Sequence, residues 1–193
     1  MKLGVVKVLF HCILNPKHID ALDESLGEGS DTNVLDILQN NIDTLGINNI
    51  PVVKKDVMQY EMLNSYDIVI SNNAMHHVCE HGLLKWDIRA RKKYIEIFRH
   101  VRSLIKPGGF LLMHEYSRHS LWRILPVKKF KGIEWSLHPT KAEWIDVLRN
   151  AGFSGITCDY VSPYKLRKIS GLIKNPIAMF FYFPNFFLRA GNL

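Results

Sequence analysis

The chain has 193 residues, of which 47% are hydrophobic and 22% charged, as expected for one soluble globular domain with a single core. No apolar run reaches the roughly 18 to 20 residues of a membrane-spanning helix, and the N-terminus lacks the small-residue cleavage site of a signal peptide. The formal net charge of +7 permits an anionic partner, but the basic residues are not interleaved with aromatic ones as in a single-strand binding groove.

The three cysteines are Cys12, Cys79 and Cys158, and no two of them have the CxxC spacing of a metal or redox motif. This pattern indicates neither a structural zinc site nor a disulfide framework. A reducing compartment fits it best, so we predict a cytoplasmic protein.

The first third of the chain predicts a helix, a strand, a second helix and a second strand. Residues 3–14 carry the apolar stripe of a core-facing helix, although their β-branched content also permits a strand. A buried strand is predicted at residues 18–22. If residues 3–14 also held a strand, only about seven residues would join the two, whereas a parallel crossover needs a dozen or more, so the helix is favoured. A second helix over residues 34–45 ends at Gly46 and leads into a strand at residues 50–53.

The rest of the chain continues this alternation. A Pro107-Gly108-Gly109 turn ends a long amphipathic helix, and Thr140 with Glu143 forms a capping box at the start of the next one. Strands are predicted at residues 66–71, 110–113, 156–161 and 178–188.

Short apolar strands alternating with helices predict an α/β fold, a Rossmann-like, doubly wound, mostly parallel sheet with helices on both faces. We expect a C-terminal antiparallel strand pair and one domain over residues 1–193. Ligands of such sheets bind outside the carboxyl ends of the strands. Polar residues follow the predicted strands at Asp23, Asp56, Asn72, Asn73 and Glu115.

Three segments resemble class I S-adenosylmethionine-dependent methyltransferases: KKDVMQYEMLNSYDIVISNNAMHHV, FRHVRSLIKPGGFLLMHEYS and HPTKAEWIDVLRNAGFSGI. They reproduce, in order, an acidic residue, an aromatic-Asp-apolar strand, a Leu-x-Pro-Gly-Gly turn and the helix before the family's sixth strand. The resemblance spans roughly residues 19–188. It implies S-adenosylmethionine as the cofactor.

Position by position, the resemblance implies that Asp23 accepts hydrogen bonds from the two ribose hydroxyls of the cofactor, a role that suits an acceptor-only carboxylate. Asp20 is a weaker alternative because it falls inside the predicted strand. Asp56 would meet the adenine amino group, with Val57 packed near the ring. Ser71 and Asn72 would lie beneath the methionine end. The competing interpretation of Asp23 and Asp56 is simple capping of the following turn or helix.

The sequence departs from the family at its N-terminus. The predicted first helix matches the one that normally follows a glycine-rich cofactor loop, so we expect an N-terminally truncated domain that lacks the first strand and this loop. The Gly-x-Gly at Gly27 and Gly29 is an alternative candidate for the cofactor loop. However, it follows Asp23 at the end of the predicted strand, and a Gly-x-Gly alone is a weak match.

His76 and His77, just beyond a strand end, are the candidate catalytic bases, because imidazole titrates near neutral pH. Packing or helix capping by one of them is the alternative. Asn73, His114 and Glu115 are predicted to contact the acceptor. A metal site among His76 to His81 is not predicted, because no carboxylate stands at ligand spacing.

Methyltransferases that act on base or amide nitrogens have an Asn-Pro-Pro-aromatic motif where this sequence has Asn72-Asn73-Ala74-Met75. The absence of this motif favours a small-molecule acceptor over nucleic acid. We expect its pocket to be built from residues 117–135 and 164–175. Two rival hypotheses remain: a truncated or inactive relative that acts as a scaffold or subunit, and a basic RNA methyltransferase. The sequence predicts no oligomeric state.

Overall fold

The computed structural model describes residues 17–23, 34–79, 87–125, 134–162, 164–181 and 184–193. Contacts divide the chain into two compact units, Met1–Glu61 and Met62–Leu193, and each is described by itself. The helix predicted within residues 3–14 and the glycine pair Gly27 and Gly29 lie outside the described residues, and so does His81. The prediction of a single domain remains a prediction.

The first unit contains two parallel strands, β1 (Ala21–Asp23) and β2 (Val52–Lys54), joined through the helix α1 (Val34–Thr44). The predicted strand–helix–strand order is confirmed, with both strands starting two or three residues later than expected. Gly46 has a φ of +64°, the left-handed conformation that commonly ends a helix and that glycine adopts without strain. A small core holds these elements together and consists of Ala21, Leu38, Ile42 and Ile50.

The second unit is built on a four-stranded sheet with the order β3-β4-β6-β5. Strand β3 pairs in parallel with β4, whereas β6 is antiparallel to both of its neighbours. The predicted α/β fold and its C-terminal antiparallel strand pair are therefore observed. Among the described residues of both units, two pairs of neighbouring strands are parallel and two are antiparallel. The strands are β3 (Tyr66–Asn72), β4 (Ile105–Tyr116), β5 (Ser154–Tyr160) and β6 (Asn185–Gly191).

Two helices of this unit, α2 (Ile88–Leu104) and α3 (Lys141–Asn150), pack against each other through aromatic side chains. The fully buried Trp144 meets the rings of Tyr94 and Phe98 edge-on, at centroid distances of 5.3 and 5.7 Å. Such edge-to-face pairs add to the hydrophobic gain from burying large rings. The capping box predicted at the start of α3 is present, so the sequence signal for this helix was correct.

The Pro107-Gly108-Gly109 segment lies between α2 and the long apolar part of β4, as predicted. Tyr66 pairs with Ile105 and Ile68 with Phe110, so β4 bulges where these residues occur. A Cβ atom on Gly109 would lie 2.6 Å from the Asp67 carbonyl oxygen. Only glycine fits there, because the backbone of β3 approaches too closely for a side chain.

The prediction of an extended segment over residues 178–188 is wrong in its first part. A helix α5 (Pro176–Phe181) follows the four-residue helix α4 (Ser170–Ile173), and strand β6 begins only at Asn185. Pro176 suits a first helical position, where its missing N–H is not needed, and the Asn175 side chain accepts a hydrogen bond from Ala178 N–H. Within the described residues, no helix is long and apolar enough to cross a membrane.

Candidate functional site

A buried histidine–glutamate pair lies at the carboxyl ends of β3 and β4. Nδ1 of His76, on a short 3₁₀ helix (Met75–His77), is 2.7 Å from Oε2 of Glu115, near the end of β4. Oε1 of Glu115 accepts a hydrogen bond of 3.0 Å from Met75 N–H. Glu115 is fully buried and His76 is 3% exposed, so water does not compete for this contact.

Other side chains hold the His76 ring in place. The Tyr94 hydroxyl donates a 3.2 Å hydrogen bond to the His76 carbonyl, which anchors the 3₁₀ helix to α2. The ring packs against those of His77 and His138, with centroid distances of 3.9 and 4.0 Å. The His138 carbonyl accepts hydrogen bonds from the Arg118 backbone N–H and guanidinium. The His76 ring is therefore packed against two other imidazoles, one of which is tied to Arg118.

Burial opposes charge on His76, Glu115 and His138. It lowers the pKa of His76 to about 4 and raises the pKa of Glu115 to about 8. Burial, aided by the neighbouring His76 and His77, lowers the pKa of His138 to about 3. At neutral pH the His76–Glu115 pair therefore shares one proton in a net neutral state, and it becomes a proton acceptor once that proton is lost.

His138 is the member of this site that sequence reasoning missed. It precedes α3 by three residues and lies in the segment that resembles the helix before the family's sixth strand, so no local signal indicates the site. One ligand atom from each of His76, Glu115 and His138 lies within 4.8 Å of the others, the residue types of a metal site. However, Met75 and His76 already occupy both carboxylate oxygens of Glu115.

Further predicted residues cluster at the same strand ends. Nδ1 of His114 lies 2.8 Å from Oδ1 of Asn72, and Asn73 turns the chain with a φ of +51°. Ser71 Oγ and Asn73 Oδ1 are buried without a hydrogen-bond partner among the described residues. Because unsatisfied buried polar atoms are costly, these two atoms are suited to meet a polar ligand. His77, by contrast, is exposed.

The first unit carries the predicted acidic residues. Asp23 ends β1 opposite Lys54 of β2, and Asp56 follows β2 by two residues. Asp56 accepts a 2.9 Å hydrogen bond from Met58 N–H, so the alternative capping role is present. Val57 is half-buried beside it.

Asp20 serves a structural role in this unit. Its two carboxylate oxygens contact the Tyr60 hydroxyl and the His18 ring, each at 2.8 Å. The preference for Asp23 over Asp20 as a ligand-binding residue remains a prediction.

No family model matches the chain. An alignment 125 residues long, which covers 60% of the chain, shows 30% identity to fusarielin synthase of Gibberella zeae and spans only 4% of that much longer protein. Among solved structures, an S-adenosylmethionine-dependent methyltransferase from Aquifex aeolicus aligns with 98% of the chain and 77% of its own, at a TM-score of 0.61 and 13% identity. The trans-methyltransferase CalH in complex with SAH aligns with 97% of the chain and 48% of its own chain, at a TM-score of 0.60 and 18% identity.

The chain thus has the fold of S-adenosylmethionine-dependent methyltransferases, and the resemblance predicted from its motifs is confirmed at the level of the fold.

Proposed function

We propose that the chain transfers a methyl group from S-adenosylmethionine to a small-molecule acceptor, with His76 as the general base. The observation that carries this proposal is the buried contact between His76 and Glu115. It lies at the carboxyl ends of two parallel strands, where α/β sheets of this kind bind their ligands. A pair of titratable groups with strongly shifted pKa values at such a place is a candidate for acid–base chemistry.

The residues present fit the cofactor. In the first unit, Asp23 and Asp56 offer the carboxylate acceptors proposed for ribose hydroxyls and an adenine amino group. In the second unit, Ser71 Oγ is buried without a hydrogen-bond partner among the described residues, and it suits the proposed role at the polar methionine end. When bound, the cofactor supplies an electrophilic methyl group on a sulfonium. What remains for the protein is to orient the acceptor and to remove its proton where the nucleophile carries one.

His76 is suited to that proton transfer once Glu115 is ionised. The carboxylate then accepts the Nδ1–H hydrogen bond, which leaves the Nε2 lone pair of His76 as the base. As Nε2 takes a proton, the adjacent carboxylate stabilises the positive charge that forms on the ring. General-base catalysis of this type contributes roughly 10²- to 10⁴-fold.

The acceptor we propose is a carbon acid of polyketide type, with a CH group between two carbonyls. One relative is the fusarielin synthase of Gibberella zeae, and a second one, from Alternaria alternata, is named as a highly reducing polyketide synthase. Such a carbon must lose a proton before it can attack a methyl group. An acceptor of this kind therefore explains why the fold carries a buried base at all.

Incubation with S-adenosylmethionine and the N-acetylcysteamine thioester of acetoacetate tests the proposal, with mass spectrometry to detect an added methyl group. The wild-type chain should yield the C-methylated thioester, and His76→Asn should yield less of it by about a hundredfold or more in the same time. His100→Asn, which replaces a histidine in the C-terminal half of α2, serves as the matched control. Absence of product from the wild-type chain with this and with O- and N-nucleophile acceptors would overturn the proposal.

Two rival functions predict different outcomes. A scaffold that has lost the cofactor would give no calorimetric heat with millimolar S-adenosylhomocysteine. An RNA methyltransferase would bind RNA with an affinity that falls steeply as salt rises, because the counterions of the phosphates are released. A cytoplasmic location remains part of the proposal.

A further inference from the structure

We infer that a cavity next to the histidine group, meaning His76 and His138 with Glu115, binds a small molecule. This molecule has an apolar hydrocarbon chain and an anionic carboxylate or phosphate. The cavity lies in the Met62–Leu193 unit and has a volume of about 880 Å³. Its identification with the acceptor site rests on the proposed function, whereas the binding of an amphipathic anion does not.

One side of the cavity is apolar. Its lining includes Ile145 of α3, Met179 and Phe180 of α5, and Pro184 before β6. Helix α5 replaces the extended segment that the sequence predicted, and it is the element that closes this wall. The lining can therefore bury an alkyl or acyl chain, at roughly 25 cal/mol for each Å² of apolar surface removed from water.

The polar side of the cavity is basic. Arg123 and Lys141 line it, and none of the described lining residues is acidic. Lys141 Nζ donates to the Cys158 carbonyl at 2.9 Å and lies 5.2 Å from the centroid of the Tyr160 ring, so its position is defined. Lys141 also opens α3, whose N-terminal dipole favours a negative charge.

A third cation, Arg118, joins the cavity to the histidine group. Its guanidinium is paired with Glu143, which neutralises its charge. Its backbone N–H and guanidinium both donate to the His138 carbonyl, and the His138 ring lies on that of His76. Arg118 therefore lines the cavity and also contacts His138, which packs against the proposed base His76. Because the cavity and the base share this residue, we assign the cavity to the acceptor.

Calorimetric titration without the cofactor tests this inference on the full chain. The ligands are four ten-carbon compounds: decanoate, decyl phosphate, decanol and decyltrimethylammonium. We expect both anions to bind, decanol to bind about fivefold or more weakly, and the cation not to bind. Equal binding of all four ligands, or binding of none, overturns the inference. A difference between decanoate and decyl phosphate identifies which anionic group the site prefers.

Variants locate the binding site. Arg123→Leu should weaken decanoate binding about threefold, as expected for one exposed ion pair, and Arg123→Lys should largely restore it. Arg149→Leu removes an equally exposed positive charge from the other end of α3 and should leave binding unchanged. Ala142→Phe, which adds a ring at the cavity lining, should abolish binding while the thermal unfolding midpoint stays near that of the wild type.

If Arg149→Leu weakens binding as much as Arg123→Leu, or if Ala142→Phe binds normally, the cavity is not the site. Because these titrations need no methyl transfer, they separate this inference from the proposed function. If the anions bind but no methylated product forms, the inference about the cavity stands and the proposed activity is wrong. If methylated product forms but the anions do not bind, the proposed activity stands and the inference about the cavity is wrong.

Discussion

Nδ1 of His76 lies 2.7 Å from Oε2 of Glu115, in a contact between side chains 39 residues apart that are almost wholly buried. This contact joins a 3₁₀ helix to the end of β4 and places an imidazole where the fold binds its ligands.

Replacing His76 by Asn should lower the methyl-transfer rate by about 10²- to 10³-fold, since the residual rate comes from proximity and orientation alone. Affinity for S-adenosylhomocysteine, measured by calorimetry, should stay within about twofold of wild type. His100→Asn should change neither quantity. A His76→Asn rate within a few-fold of wild type would remove the residue from the chemistry.

The methyl-transfer rate should rise with pH. Burial raises the pKa of Glu115 to about 8, so below that pH the pair holds a proton and His76 cannot accept another one. Above it the pair is ionised and the base is available, so the rate should climb between about pH 7 and pH 9. In Glu115→Gln, which cannot ionise, this rise should disappear along with most of the rate. A Gln variant that keeps the wild-type pH profile would contradict this assignment.

Asp23→Asn should weaken S-adenosylhomocysteine binding about tenfold, because the amide offers one acceptor oxygen where the carboxylate offers two. Asp56→Asn should weaken it less, and since Asn is an equally good cap, the 3₁₀ helix that Asp56 begins should persist. Asp20→Asn is the control, since that carboxylate is engaged by Tyr60 and His18. Calorimetry gives the three dissociation constants, and equal losses in all three would refute the distinction.

Gly109→Ala should lower the free energy of unfolding by roughly 1 to 3 kcal/mol, as overpacking does. The added Cβ would lie 2.6 Å from the Asp67 carbonyl oxygen and 2.7 Å from Ile105 Cγ2, so the β3–β4 pairing must shift. Gly171→Ala is the matched control, because nothing lies within 4 Å of its Cβ position. Urea unfolding of both variants measures the difference, and equal stabilities would show that the bulge is not tightly packed.

Trp144→Ala should cost about 3 to 5 kcal/mol of unfolding free energy, the usual range for emptying a large buried aromatic site. Trp144→Phe should cost clearly less, because it keeps a ring against Tyr94 and Phe98 and removes an indole N–H that is buried without a hydrogen bond among the described residues. Chemical denaturation of both variants checks the order. A Phe variant as unstable as the Ala variant would show that the larger indole is indispensable.

Local sequence signals were reliable wherever the structure depends on local chemistry. The capping box at Thr140 and the helix end at Gly46 each follow from hydrogen bonds or backbone conformations within a few residues. The apolar run over residues 178–188 misled the prediction. Periodicity does not separate a short buried helix from a strand, and Pro176 and Asn175 decide for a helix.

The sequence by itself determined the α/β class, the order of most elements and the presence of His76 and Glu115 at strand ends, because alternating patterns and turns encode these features locally. Only the tertiary structure decided that these two side chains share a hydrogen bond, that His138 covers the ring and that α5 walls a cavity. These features join residues far apart in the chain, so they depend on how the sheet brings its strand ends together. Burial within that packing, rather than residue type, lowers the pKa of His76 and raises that of Glu115.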